Sequence, residues 1–149
     1  MKNYVRFGAM ILTSTIIMWG LMYLNTYSWE HVFFSEMRVY MAFIMGATMA
    51  VVMLLFMLDM YKNWRVNAGI LAGSLLLFAA ALWLVRSQAT VDEVDYMEAM
   101  IPHHSIAILT SERANIKDPR VRKLADTIIE TQRKEIEEMK MLINDLKDK

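Results

Sequence analysis

The sequence predicts an all-α protein in which three transmembrane helices are followed by an extracytoplasmic two-helix hairpin. Two observations predict this class. Hydrophobic residues make up 56% of the 149-residue chain and dominate its first part, whereas about the last 60 residues carry most of the acids and bases. In that last part, apolar residues recur at helical spacing. A membrane part joined to a water-exposed part explains the uneven charge, and we place a membrane domain at residues 1–86 and an extracytoplasmic domain at residues 87–149.

Three apolar stretches, at residues 5–23, 39–58 and 68–85, approach the length of about 20 residues that crosses a bilayer. None has a charged residue near its middle, and tyrosines and tryptophans lie near their ends, as in interfacial aromatic belts. We therefore predict three membrane-spanning helices that contact lipid, the first of them a retained anchor. Active transport is not expected, because pumps need ionisable groups inside the membrane.

Basic residues predict the orientation of these helices. Lys2 and Arg6 precede the first span, and Lys62 and Arg65 lie between the second and the third. Cytoplasmic loops carry an excess of such residues. We therefore expect a protein of the bacterial inner membrane, with a cytoplasmic N-terminus and an extracytoplasmic, periplasmic C-terminal domain.

The second predicted span carries a row of methionines at every fourth position: Met37, Met41, Met45, Met49, Met53 and Met57. Four residues advance about 400° along an α-helix, so the row winds around it. This favours a packing ridge over a straight metal conduit, and the sequence leaves both roles open. Beside the row, Ala42, Gly46 and Ala50 form a small-xxx-small pattern, which allows two membrane helices to approach closely.

Two helices are predicted in the extracytoplasmic domain. Thr90, with Glu93 three residues later, has the pattern of a capping box. Asp118 followed by Pro119 predicts the second start, with Asp as N-cap and Pro at the first helical position. Pro102, inside the first helix, predicts a kink. Because a lone hairpin of this size is marginal, we expect a homo-oligomer in which a second copy completes a four-helix bundle.

A cluster of methionines and histidines lies in the first of these helices. Met97, Met100 and His104 stand at positions i, i+3 and i+7, so they share one helical face, and His103 lies at its rim. In a hairpin, Met139 of the second helix opposes them. Thioether and imidazole donors favour a soft ion, Cu(I) above all with Ag(I) as its mimic, over Mg²⁺ or Ca²⁺. The alternative is that Met97 and Met139 are simply core residues.

Two motifs of this domain also resemble those of a known family. Residues 100–104 have the spacing M-x-x-H-H, and residues 132–139 read Q-x-x-E-I-x-x-M. This pattern resembles the CopM-like family of small periplasmic helical domains. The resemblance covers the last part of the chain, with departures at Thr110 and Met141. It implies a ferritin-like antiparallel bundle, copper binding and a role in copper tolerance.

Composition excludes several other functions. The net charge is zero, so nothing favours nucleic-acid binding, and the absence of cysteine excludes disulfides and thiolate metal sites. No phosphate loop, activated nucleophile or paired Glu-x-x-His motif is present, so we do not expect an enzyme. The expected function is a membrane-anchored copper chaperone, buffer or sensor that exchanges metal with a donor or acceptor protein. The alternative is a structural membrane module whose hairpin mediates oligomerisation or recruits a protein partner without metal.

Overall fold

The computed structural model describes residues 2–148. Within that range the protein has five α-helices and no strand, which confirms the all-α class. A short 3-10 helix at Trp29–His31 precedes the second of them. The helices are α1 (Lys2–Leu21), α2 (Glu36–Phe56), α3 (Trp64–Ser87), α4 (Glu93–Arg113) and α5 (Pro119–Lys147).

The first three helices, α1, α2 and α3, are each long and apolar enough to cross a membrane, as the sequence predicted. Helix α3 begins four residues before the predicted span, whose first residue is Ala68. The reason is local, because the Asn63 side chain accepts hydrogen bonds from the backbone N–H groups of Arg65 and Val66. Such an N-cap satisfies donors that the first helical turn leaves open.

Contacts divide the described chain into two compact units. The first contains residues 2–22 and 37–90, and the second contains residues 23–36 and 91–148. Residues 23–35, which lie between α1 and α2, are called the α1–α2 loop below. It belongs to the unit of α4 and α5, whereas the sequence placed it in a membrane domain at residues 1–86.

In the first unit, Phe7, Ala50, Leu54 and Tyr61 form a buried core. The small-residue face of α2 is covered within the chain, because Ala42, Gly46 and Ala50 are all buried. At Gly46 the approach is closest, since a Cβ added there would lie 2.5 Å from Thr15 Oγ1 of α1. At Gly46 this face therefore packs α2 against α1 of the same chain.

The methionine row runs along α2 and one residue past its end, and its members differ in exposure. Met53 and Met57 pack against the core of the first unit, whereas Met41 is 40% exposed. A row that winds around the helix produces this spread. At least two of these methionines thus contribute to packing, and a metal role of the row stays a prediction.

Both helices of the second unit begin with an aspartate N-cap. The Asp118 carboxylate accepts from the Arg120 N–H, with Pro119 at the first position of α5, which confirms the predicted start. The predicted cap of α4 is wrong, because Asp92, not Thr90, accepts from the Asp95 N–H. Aspartate is at least as good an N-cap as threonine and lies next to the first helical residue. Helix α4 continues through Pro102.

The cores of α4 and α5 are formed by apolar residues at helical spacing. Met97, Ile101 and Ile108 of α4 pack with Ile136 and Ile143 of α5. Two ion pairs connect the helices further out. Lys147 Nζ lies 2.6 Å from Glu98 Oε1, and Arg133 Nη2 lies 2.7 Å from Glu112 Oε1. Early residues of α4 thus meet late residues of α5.

Candidate metal centre

His104 is the candidate ligand with the most defined surroundings. Its side chain is only 14% exposed, and its Nδ1 lies 3.2 Å from Glu135 Oε2. The ring nitrogen and the carboxylate are not aligned for a hydrogen bond, and this buried nitrogen forms no hydrogen bond. A carboxylate beside one ring nitrogen of a histidine is the usual arrangement behind a metal-ligating imidazole, which then binds through the other nitrogen.

Burial is the largest cause that lowers the pKa of His104 below its ordinary value of 6.5. Glu135 opposes this shift and His103 adds to it. His104 is therefore neutral at pH 7, and the contact with Glu135 joins a carboxylate to an uncharged ring. The neutral imidazole is the form that binds metal ions.

Met97 of α4 and Met139 of α5 are both associated with one apolar core. Met97 is 7% exposed and belongs to the core, and Met139 packs against that core. Both thioethers therefore contribute to packing, as the alternative interpretation of the sequence expected. Their role as ligands stays a prediction.

The two remaining candidates are more accessible. His103 is exposed and Met100 is half-buried. The rings of His103 and His104 are neighbours, with centroids 6.1 Å apart. Within residues 2–148, no group of three His, Cys, Asp or Glu side chains is arranged to hold a metal ion.

Sequence reasoning missed the contribution of α5 to this site apart from Met139. Glu135 contacts His104, and its Oε2 also accepts a hydrogen bond from Gln132 Nε2 at 3.2 Å. Both residues belong to the Q-x-x-E-I-x-x-M motif, so the motif held the signal. Spacing along α5 alone could not identify the residue of α4 that Glu135 faces.

One comparison with known proteins concerns this same part of the chain. Residues 84–148 match the model of a helical domain family described as "Domain of unknown function (DUF305)". The uncharacterized protein L153 of Acanthamoeba polyphaga mimivirus is 41% identical over 68 residues, which span 44% of this chain and 45% of that protein. The chain thus matches less than half the length of this relative. No solved structure matches the chain significantly.

Proposed function

We propose that this protein is a membrane-anchored copper-binding protein that acts as a chaperone, buffer or sensor. Its ligands for Cu(I) are Met97, Met100, His103, His104 and Met139. The observation that carries the proposal is the largely buried imidazole of His104, whose Nδ1 lies 3.2 Å from Glu135 Oε2. It lies on a helix that also carries thioethers on the same face.

The donor chemistry supports a soft metal. Thioether sulfur and imidazole nitrogen suit Cu(I) and its mimic Ag(I), while Mg²⁺ and Ca²⁺ prefer oxygen. Glu135 faces Nδ1 of His104, which leaves Nε2 for the metal. The M-x-x-H-H and Q-x-x-E-I-x-x-M motifs, which resemble those of the CopM-like family, agree with this assignment.

We further propose that this site lies on the extracytoplasmic side of the membrane. Three helices have the length and composition to cross a membrane, and basic residues flank them in the pattern of cytoplasmic ends. The N-terminus is then cytoplasmic, and α4 and α5 lie outside the inner membrane of a bacterium. A copper donor or acceptor protein there would exchange metal with this site, and no catalytic step is required.

We further propose that α4 and α5 form an antiparallel hairpin that pairs with a second copy in a four-helix bundle. Two helices bury too little apolar surface for an independent domain. Several large apolar side chains of α5 are exposed in one chain: Val121, Leu124, Met141, Leu142 and Leu146. The same exposed residues favour the alternative function, a structural membrane module whose hairpin assembles or recruits a partner without metal.

Metal uptake by the full-length protein distinguishes the two functions. In detergent, the protein titrated with Cu(I) against a competing chelator should bind copper stoichiometrically, and Zn²⁺ should not compete. His104→Ala should weaken binding more than His103→Ala, because His103 is exposed whereas His104 is largely buried. A folded protein that takes up no Cu(I), or a His103→Ala and His104→Ala double variant with unchanged uptake, would favour the structural module.

A further inference from the structure

The α1–α2 loop is bound to the helical turn that carries the two histidines. Ser105 directly follows His104, and its side chain is 0% exposed. Its Oγ accepts a hydrogen bond from the Tyr27 N–H at 2.7 Å and lies 2.9 Å from His31 Nδ1. One buried hydroxyl of α4 thus holds two residues of the loop.

A second contact joins the loop to the apolar core of α4 and α5. Phe33 packs against the core that contains Met97, and Met139 packs against the same core. The loop therefore touches both parts of the proposed ligand set: the turn with the imidazoles and the core with the sulfur atoms.

Helix α5 also holds the loop. Arg133 Nη2 lies 3.4 Å from Tyr27 Oη, and its guanidinium carbon lies 5.5 Å from the centre of the Tyr27 ring. Between these contacts the loop and the helices leave a cavity of about 220 Å³ lined by Tyr27, His31, Ile108, Arg133, Ile136 and Glu137. The packing between the loop and the two helices is therefore incomplete at this point.

We propose that the α1–α2 loop is a positioning element of the copper site and that Ser105 is the positioning residue through which it acts. This inference rests on the proposed function. Ligands hold a metal tightly only when neighbouring groups fix their orientation. The hydrogen bonds of Ser105 with Tyr27 and His31 fix this turn of α4, and the turn sets the direction of the His103 and His104 rings.

The test is Ser105→Ala in the full-length protein in detergent. Loss of the hydroxyl should release the loop, so that hydrogen exchange at the Tyr27 amide accelerates. Ag(I) serves as a redox-stable probe, and its affinity should fall by roughly tenfold. This is the lower end of the loss in metal affinity that is typical when a residue that orients a metal ligand is mutated. Ser111→Ala, on the same helix but outside these contacts, should match wild type in both measurements.

X-ray absorption of the Cu(I)-loaded protein separates positioning from a general loss of stability. Ser105→Ala should lose nitrogen neighbours of copper while the sulfur neighbours remain. If Tyr27 exchange accelerates but the affinity and the neighbours of copper stay as in wild type, the positioning role is wrong although the copper function stands. If wild type itself binds neither Ag(I) nor Cu(I), the proposed function fails and this inference fails with it.

A second variant covers the case in which Ser105→Ala does not fold. Phe33→Ala weakens the attachment from the side of the loop and leaves α4 and α5 unchanged. It should also accelerate exchange at Tyr27 and lower the Ag(I) affinity. Faster exchange with unchanged affinity in this variant would overturn the inference.

Discussion

Removal of the carboxylate behind His104 should weaken metal binding without removing a ligand. In Glu135→Gln the side chain keeps its shape but loses the charge that lies 3.2 Å from His104 Nδ1. A neutral amide favours the Nδ1–H tautomer less strongly, and this tautomer is the one that presents Nε2 to the metal. Losses of such partners typically cost 10- to 100-fold in metal affinity.

The exposure of Glu135 sets the expected size of this loss. Its side chain is 43% exposed, so water screens the interaction and replaces part of it. We therefore expect the lower end of the range, about tenfold, or ~1.4 kcal/mol. Competition titration with Ag(I) at neutral pH, where His104 is uncharged, measures this difference directly.

Glu138→Gln is the matched control for this substitution. Glu138 lies on the same helix and is exposed, so the variant makes the same change in net charge away from His104. Its affinity should remain within about twofold of wild type, because exposed charges at a distance are screened. Equal affinities of Glu135→Gln and wild type, combined with a clear loss in His104→Ala, would refute an orienting role for the carboxylate.

Four further predictions concern acidity, packing, assembly and topology. Because burial lowers the pKa of His104, its neutral form persists below pH 6.5. Metal affinity should therefore decline only below that pH. In a pH titration of metal affinity, His104→Ala should lack the decline that is due to this residue. Gly46→Ala places a Cβ 2.5 Å from Thr15 Oγ1, so it should destabilise the protein by about 1–3 kcal/mol and lower its Tm in detergent. Gly73→Ala adds a Cβ in open space and should not lower the Tm. Equal Tm values for the two variants would contradict the close approach of α1 and α2. Leu124→Lys on α5, a position 60% exposed, should reduce the oligomer mass in detergent, and a monomeric wild type would refute assembly. A reporter that works only outside the cytoplasm should be active when it is fused to the C-terminus. An inactive reporter would contradict the predicted extracytoplasmic position of the C-terminal domain.

Much of the fold was predictable because it depends on local patterns. Apolar stretches of membrane-spanning length predicted α1, α2 and α3, and Asp118 before Pro119 predicted the start of α5. The error at the start of α4 was also local. Thr90 and Asp92 are both suitable N-caps, and the choice between neighbouring candidates depends on where the chain enters the helix.

Part of the candidate site could also be predicted from local sequence patterns. Met97, Met100 and His104 share a helical face because helical geometry places residues at i, i+3 and i+7 together. Whether a methionine on such a face binds metal or fills the core is not encoded in spacing. Burial of Met97 and the position of Met139 against the same core became known only from packing.

The sequence by itself determined the helical class, the three apolar helices and the cluster of soft donors on α4, since each depends on residues within a few turns of one another. Only the tertiary structure decided that Glu135 stands behind His104 and that Gly46 meets Thr15. It also decided that the α1–α2 loop joins the helices of the candidate site. Tyr27 and His31 reach Ser105 across 78 and 74 residues of chain. The physical reason is that periodicity specifies which face of a helix is apolar, whereas the distant segment that covers this face is selected by the packing and hydrogen bonds of the whole chain.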